Sequence, residues 1–190
     1  KKYISQDGDE FETAAVAESF DEHFQYMMHP RTLKDSIKQN TTDPELMMKA
    51  TPSTMYLAAH YKWALDKILI AKKHSHVIIL EDDMVVSKDF FQFFEMTAPL
   101  LDADPTLWCI SSWNDNGFKH LDLNPKRLFR TSYFPGLGWM MKRDVWVELR
   151  DSFPEDNWDH WMRATTTSKN RECVTPFLSR NFNIGVGGAT

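Results

Sequence analysis

The sequence predicts an α/β layered domain with a largely parallel central sheet and helices on both faces. Three observations carry that prediction. Strand patterns, acidic turns and helical patterns alternate along the chain. One run, His76-Val77-Ile78-Ile79-Leu80, is continuously apolar and branched, the pattern of a central strand buried on both faces. Aromatic residues make up 13% of the chain, with seven Trp and thirteen Phe, enough large apolar surface for a core. In folds of this class ligands sit outside the carboxyl ends of the strands, and Glu81-Asp82-Asp83 stands at such an end.

The elements follow in order. A strand around Lys2 to Ser5 ends at Gln6-Asp7-Gly8, and a helix with an acidic first turn runs from about Phe11 to Phe24. An extended piece at Gln25 to Met28 leads into the polar stretch Lys34 to Pro52, read as a loop, with Thr51-Pro52-Ser53 opening the next helix. Over Ser53 to Lys73 the residues Leu57, Tyr61, Ala64 and Ile68 share one face, which marks it as core, and Lys72-Lys73 suits the negative end of the helix dipole. After the acidic triplet, Ser87 is a candidate cap for a helix carrying Phe90, Phe91, Phe94 and Leu101, which Asp104-Pro105 closes. A strand at Leu107 to Ser111 follows. Asn114-Asp115-Asn116-Gly117 reads as a turn, Phe129 to Tyr133 as a strand, and Pro135-Gly136-Leu137-Gly138 as a backbone crossing point. Short helices at Arg143 to Arg150 and Trp158 to Arg163, then extended pieces at Cys173 to Phe177 and Phe182 to Ile184, complete the chain.

Composition narrows the function classes. A net charge of −5 over 190 residues leaves no basic footprint for a nucleic acid backbone. No apolar run reaches the roughly 18 residues of a membrane span, and the first residues do not form a signal peptide, so the chain as given reads as soluble. The phosphate loop of P-loop enzymes, the dinucleotide fingerprint, the zincin helix motif and the hydrolase nucleophile elbow are all missing from the sequence. Cys109 and Cys173 are too far apart for a metal or redox pair, and spacing leaves open whether they are buried free thiols or a disulfide. Asn40-Thr41-Thr42 fits an N-glycosylation acceptor and so a secretory location.

Three consecutive carboxylates at a strand end repel one another unless a cation joins them, and oxygen-only ligands favour Mg²⁺, Mn²⁺ or Ca²⁺. Strand alternation sends Glu81 and Asp83 to one side and Asp82 to the other. A solvated acidic turn is the plainer alternative. An acidic metal site without a phosphate loop can neutralise a diphosphate through the metal, the chemistry of nucleotide-sugar transferases. Asp159, flanked by Trp158 and His160-Trp161, is a carboxylate among aromatic rings, suited to a general base and to a sugar whose C–H faces stack on Trp. The plainer alternative there is an ordinary helix start. His60 lies off the core stripe as a possible ligand contact, though a satisfied structural histidine is the commoner case.

Four motifs then occur in a specific order: Val77-Ile78-Ile79-Leu80-Glu81-Asp82-Asp83, Ser112-Trp113-Asn114-Asp115-Asn116-Gly117, Phe134-Pro135-Gly136-Leu137-Gly138-Trp139 and Trp158-Asp159-His160-Trp161-Met162-Arg163. With Ser5-Gln6-Asp7 before them and Arg171-Glu172-Cys173 and Ser179-Arg180 after, the chain resembles the N-acetylglucosaminyltransferase I family over nearly its whole length. The resemblance implies a GT-A type nucleotide-diphospho-sugar transferase fold. It also implies an enzyme that uses UDP-N-acetylglucosamine and Mn²⁺ to make a β1,2 bond to mannose with inversion. Asp83 looks like the metal carboxylate, Asp82 a ribose contact, Glu81 a sugar contact, and Asp7 and His60 uridine contacts. Asp159 looks like the catalytic base, with Trp158 and Leu137 as donor-side contacts and Thr190 as a hydroxyl residue of a loop over the donor phosphates. Cys109 and Cys173 match a family disulfide.

The same resemblance implies that residues 1–190 are a single catalytic domain trimmed at both ends. The family's first strand would precede Lys1, and its closing loop and smaller domain would follow Thr190. It also implies a Golgi lumen enzyme held by an anchor outside this chain. His160 stands where the family usually carries a second Asp. Two other readings accompany the main one, an enzyme acting on O-linked mannose and a non-catalytic sugar- or nucleotide-binding copy. Asn116 favours the N-glycan branch, since the O-mannose branch tends to carry Gln there.

Overall fold

A computed structural model describes residues 1–31, 52–118, 121 and 124–185. The polar stretch from Lys34, the Asn40 acceptor triplet and Thr190 lie outside the described residues. The chain divides into two compact units, residues 1–67 with 153–158, and 68–152 with 159–190.

In the first unit β1 (Tyr3–Asp7) and β2 (Gln25–His29) pair in parallel, with Asp7 opposite His29. The connection between them is α1 (Phe11–Glu18), which stops six residues short of the expected end. Ser19 ends it by turning its hydroxyl onto the Val16 carbonyl, and the chain tightens into three-residue turns, with Asp21 N–H donating to Glu18 O and His23 N–H to Phe20 O. Helix α2 (Pro52–Leu65) packs against both strands and continues as a wider turn over Asp66–Ala71. Its buried stripe is Ala58, Tyr61, Leu65 and Ile68, so Tyr61 and Ile68 are core as expected, while Ala64 is half-buried and Leu57 exposed. From the 153–158 segment, Trp158 stacks on Tyr61 at 4.1 Å between ring centroids and lies 6.5 Å from Phe153.

The second unit holds a five-stranded sheet in the order β3-β7-β5-β8-β6, made of β3 (His76–Ile79), β5 (Leu107–Ser111), β6 (Leu128–Thr131), β7 (Trp139–Lys142) and β8 (Glu172–Pro176). The sheet is mixed and not mostly parallel: β5–β8 is its one parallel pair among the described residues, and β3–β7, β5–β7 and β6–β8 run antiparallel. The reason is β7. Helix α3 (Phe90–Ala103) carries the chain from β3 to β5 in the manner of a parallel crossover, yet β7 enters between them in the opposite direction. β3 and β5 therefore do point the same way, one strand apart. The apolar run at 76–80 is consequently a half-buried edge strand of this sheet, and the fully buried central strand is β5.

A separate antiparallel pair joins β4 (Met84–Val86) to β9 (Asn181–Asn183). Neither β4 nor β7 is anticipated from the sequence, both being short. The sheet core forms where Phe90, Phe94 and Leu101 of α3 meet Leu107 and Ile110 of β5, Met140 of β7 and Val174 of β8. Phe91 points outward. Ser87 does not cap α3; Asp89 takes that position, and the Ser87 hydroxyl donates to its carboxylate. Helix α4 (Arg143–Leu149) packs on β7, and α5 (Trp158–Arg163) and α6 (Thr165–Ser168) follow. Cys109 and Cys173, directly opposite on β5 and β8 and fully buried, form a disulfide.

Candidate functional site

The expected site residues fall in both units, and each group is built locally. In the first unit the ends of β1 and β2 bring Asp7 beside His29, whose Nδ1 lies 2.7 Å from Asp7 Oδ1, while Arg31 Nε donates to Asp7 Oδ2 at 2.9 Å. Parallel pairing sets this up, because Asp7 and His29 are register partners. His60, on α2, shares a 2.8 Å hydrogen bond between its Nε2 and Ser5 Oγ and stacks on the His29 ring at 5.8 Å, with Trp63 tilted against both. Burial holds His60 below the usual histidine range; the Asp7 carboxylate opposes this, and the charges of His29 and Arg31 add to it. Asp7 and His60 thus belong to one polar–aromatic cluster, in which a neutral imidazole ring offers a flat face and hydrogen-bonding edges. Trp158 is only 5% exposed, its ring spent on Tyr61.

In the second unit strand pairing stops at Ile79 and residues 82–83 form a turn, so strand alternation does not aim the three carboxylates. Burial separates them instead, with Asp82 exposed and Glu81 and Asp83 half-buried. Asp83 is held from the other end of the unit. Ile184 N–H donates to the Asp83 carbonyl at 2.8 Å, and Asn183 Nδ2 donates to Asp83 Oδ2 at 3.1 Å. A Cβ at residue 185 would collide with that same oxygen, so any larger residue there would push the Asp83 carboxylate aside. Asp83 Oδ1 is buried and has no hydrogen-bond partner among the described residues.

A buried, bare carboxylate oxygen is costly unless a cation meets it, so the residues present fit a divalent ion at Asp83. No group of three or more His, Cys, Asp or Glu able to hold a metal occurs among the described residues. An ion there would complete its shell with water and ligand oxygens, as hard cations at diphosphate sites commonly do.

Leu137 lies in the turn before β7, its carbonyl accepting from Asn181 Nδ2 at 3.1 Å. Gly138 has φ +64°, and a Cβ there would strike Asn181 and Ser112, so this crossing point requires glycine. Asp159 opens α5, where Arg163 Nη1 donates to its Oδ2 at 2.6 Å, and the Arg163 guanidinium sits 4.9 Å from the Tyr133 ring. The helix itself makes this pair, four residues apart on one face.

The GNT-I family model matches residues 2–190. The chain belongs to the GNT-I family. An Arabidopsis thaliana protein named "Alpha-1,3-mannosyl-glycoprotein 2-beta-N-acetylglucosaminyltransferase" is 40% identical over 190 residues, 99% of this chain. This GNT-I family chain spans 40% of that relative's length. A solved structure described as "Crystal Structure of A197 from STIV" aligns over 95% of this chain and 83% of that one, at 14% identity and a TM-score of 0.49.

Three further residues of this GNT-I family chain hold the candidate side chains in place. Arg163 was detectable from its i, i+4 spacing to Asp159. Asn183 and Gly185 were not, since only the fold brings them to Asp83 across 100 residues.

Proposed function

We propose that the protein is the nucleotide-sugar part of an inverting glycosyltransferase that moves N-acetylglucosamine from UDP-N-acetylglucosamine, in β1,2 linkage, to a mannose of an N-glycan core. Membership of the GNT-I family and the activity in the name of its 40% identical relative support this reading. The observation that carries it is Asp83, with one oxygen anchored by Asn183 and the other buried and bare. On this reading Asp83 holds Mn²⁺. When bound, the ion supplies positive charge against the charge that builds on the departing diphosphate.

The protein's own residues do the rest. Asp7 and His60 contact the uracil, Asp82 the ribose and Glu81 the transferred sugar, and Leu137 lines the donor side. Asp159 takes the proton from the acceptor hydroxyl as that oxygen attacks the anomeric carbon. The bond from that carbon to the diphosphate oxygen breaks on the opposite face, UDP leaves, and one displacement inverts the centre. Arg163 fixes Asp159 Oδ2 and so leaves Oδ1 for the proton. The Cys109–Cys173 disulfide supports an oxidising compartment, in line with a Golgi lumen enzyme. Among the described residues no helix is long and apolar enough to cross a membrane, and membrane attachment on this reading comes from an anchor.

The test is calorimetric titration of UDP-N-acetylglucosamine with Mn²⁺ and then with EDTA, on the wild type and on Asp83→Ala. Binding that needs both the metal and Asp83 is expected. Binding indifferent to both would remove the metal from the reading and favour a binding protein of another kind.

A further inference from the structure

Within the second unit a cavity of about 210 Å³ lies between the turn after β5 and the strands β6 and β8, lined by Trp113, Asp115, Asn116, Phe129, Tyr133 and Thr175 among others. It holds roughly seven waters at about 30 Å³ each, below the roughly 300 Å³ at which drug-sized pockets begin, and so suits one small ring. Its floor contains an anomaly. Thr175 is 1% exposed, and its Oγ1 has no hydrogen-bond partner among the described residues. A buried hydroxyl left bare is unfavourable, and a strand accepts Val at such a position without that penalty. The hydroxyl is accounted for if something in the cavity bonds to it.

The walls indicate what that is. Trp113, Phe129 and Tyr133 offer apolar faces, and among the described residues no lining residue is basic, which disfavours a phosphate or a nucleotide. The Trp113 indole N–H donates to Asp115 Oδ1 at 3.1 Å, which fixes both side chains at the rim. Beneath them Asn114 locks the turn: its Nδ2 donates to Phe177 O at 2.6 Å, its Oδ1 accepts from Asn116 N–H, and its own N–H donates to Ser179 Oγ. Aromatic faces for C–H surfaces, a carboxylate and a buried hydroxyl for O–H groups, and no basic side chain among the described lining residues together describe a site for a neutral sugar. Tyr133 also carries the Arg163 guanidinium that holds Asp159, so one wall of the cavity touches the pair that would set the general base.

We infer that this cavity is a subsite for a neutral hexose of the glycan acceptor, with Thr175 Oγ1 as a ligand-binding hydroxyl. The inference rests on the transferase reading above for the word acceptor, while the sugar binding itself does not. The test uses the full chain, isotope-labelled, titrated with methyl α-mannoside and followed at the Trp113 indole N–H, which Trp113→Phe assigns. The mannoside is expected to move that signal. Thr175→Val is expected to weaken the effect about fivefold, the worth of one neutral hydrogen bond. Its affinity for UDP-N-acetylglucosamine with Mn²⁺ and its melting temperature should match the wild type or better it, and Thr175→Ser should restore mannoside binding. A Trp113 signal unmoved by the mannoside, or a Thr175→Val variant that binds it as the wild type does, overturns the subsite. If the mannoside binds here while the nucleotide sugar does not bind at all, the subsite stands and the transferase reading falls; if transfer proceeds without any mannoside effect at Trp113, the subsite alone falls.

Discussion

Replacing Asp83 with Asn separates an electrostatic role from a structural one. Without ligand, the anchored oxygen survives the change, since the new amide oxygen can still accept from Asn183 Nδ2. The bare Oδ1 becomes a neutral amide nitrogen, and a buried polar atom without a partner costs about 1–3 kcal/mol, more when it is charged. Asp83→Asn should therefore melt no lower than the wild type. With UDP and Mn²⁺ present at about a hundred times their half-saturation, ligation should stabilise the wild type by about 2.7 kcal/mol. At roughly 2–4 °C per kcal/mol for a chain of this size, that is a rise of about 5–11 °C, abolished by EDTA. No third acidic or imidazole ligand stands nearby among the described residues, so Mn²⁺ without UDP should give a much smaller rise. The assay is a thermal melt of both proteins, with and without UDP, Mn²⁺ and EDTA. A metal-dependent rise in Asp83→Asn equal to that of the wild type would refute the reasoning.

The Asp159–Arg163 pair should behave as one device. Asp159→Asn is expected to lose turnover while keeping donor affinity, and Arg163→Met to lower kcat by about 10–100-fold through misplacement; if the double variant falls well below Asp159→Asn alone, the two act independently. Both side chains are partly exposed, so stability should change by less than about 1 kcal/mol in either single variant. His60 gives a pH signature. Its folded value lies below the ordinary one near 6.5, so the stability it contributes is full above about pH 6.5 and is lost as pH falls from there toward the lowered value. Urea midpoints of His60→Asn measured against pH should lack that part of the acid slope, and an identical slope would argue against it. Finally, the Cys109–Cys173 bridge closes a separation of 64 residues, worth about 4 kcal/mol on loop-entropy scaling. The double alanine variant should lose at least that much in urea denaturation, and an unchanged midpoint would show that the strands keep register unaided.

How much of this was legible in the sequence depended on whether the signal was local. Local patterning located β1, α3, β5, α4 and α5, because a short apolar run, as in β5, or the spacing of a buried face, as in α3, is visible in a short window. Strand order was not local. The branched run at 76–80 carries the pattern of a central strand, yet centrality is decided by β7, a four-residue strand of Trp, Met, Met and Lys with little strand signal of its own. The same limit governed the site. Asp83 and Asp159 stood out as acidic residues in suggestive company, but the atoms that fix Asp83 come from a strand 100 residues away. Thr175 had no mark at all, since a threonine in a strand is ordinary until its hydroxyl is found without a partner.

The clasp between Asp83 and the Asn183–Gly185 segment has a consequence for biogenesis. During synthesis the β3 edge and its acidic turn leave the ribosome well before β9 does, with 100 residues between the two halves of the clasp. At about 5–20 residues per second the turn waits roughly 5–20 s for the strand that positions its carboxylate. Through that interval β4 has no partner, and its exposed Val85 and Val86 form an open strand edge of the kind other chains can join. The nascent protein thus carries an open strand edge beside an unclasped acidic turn until β9 emerges, and a chain arrested ahead of Asn181 would keep both.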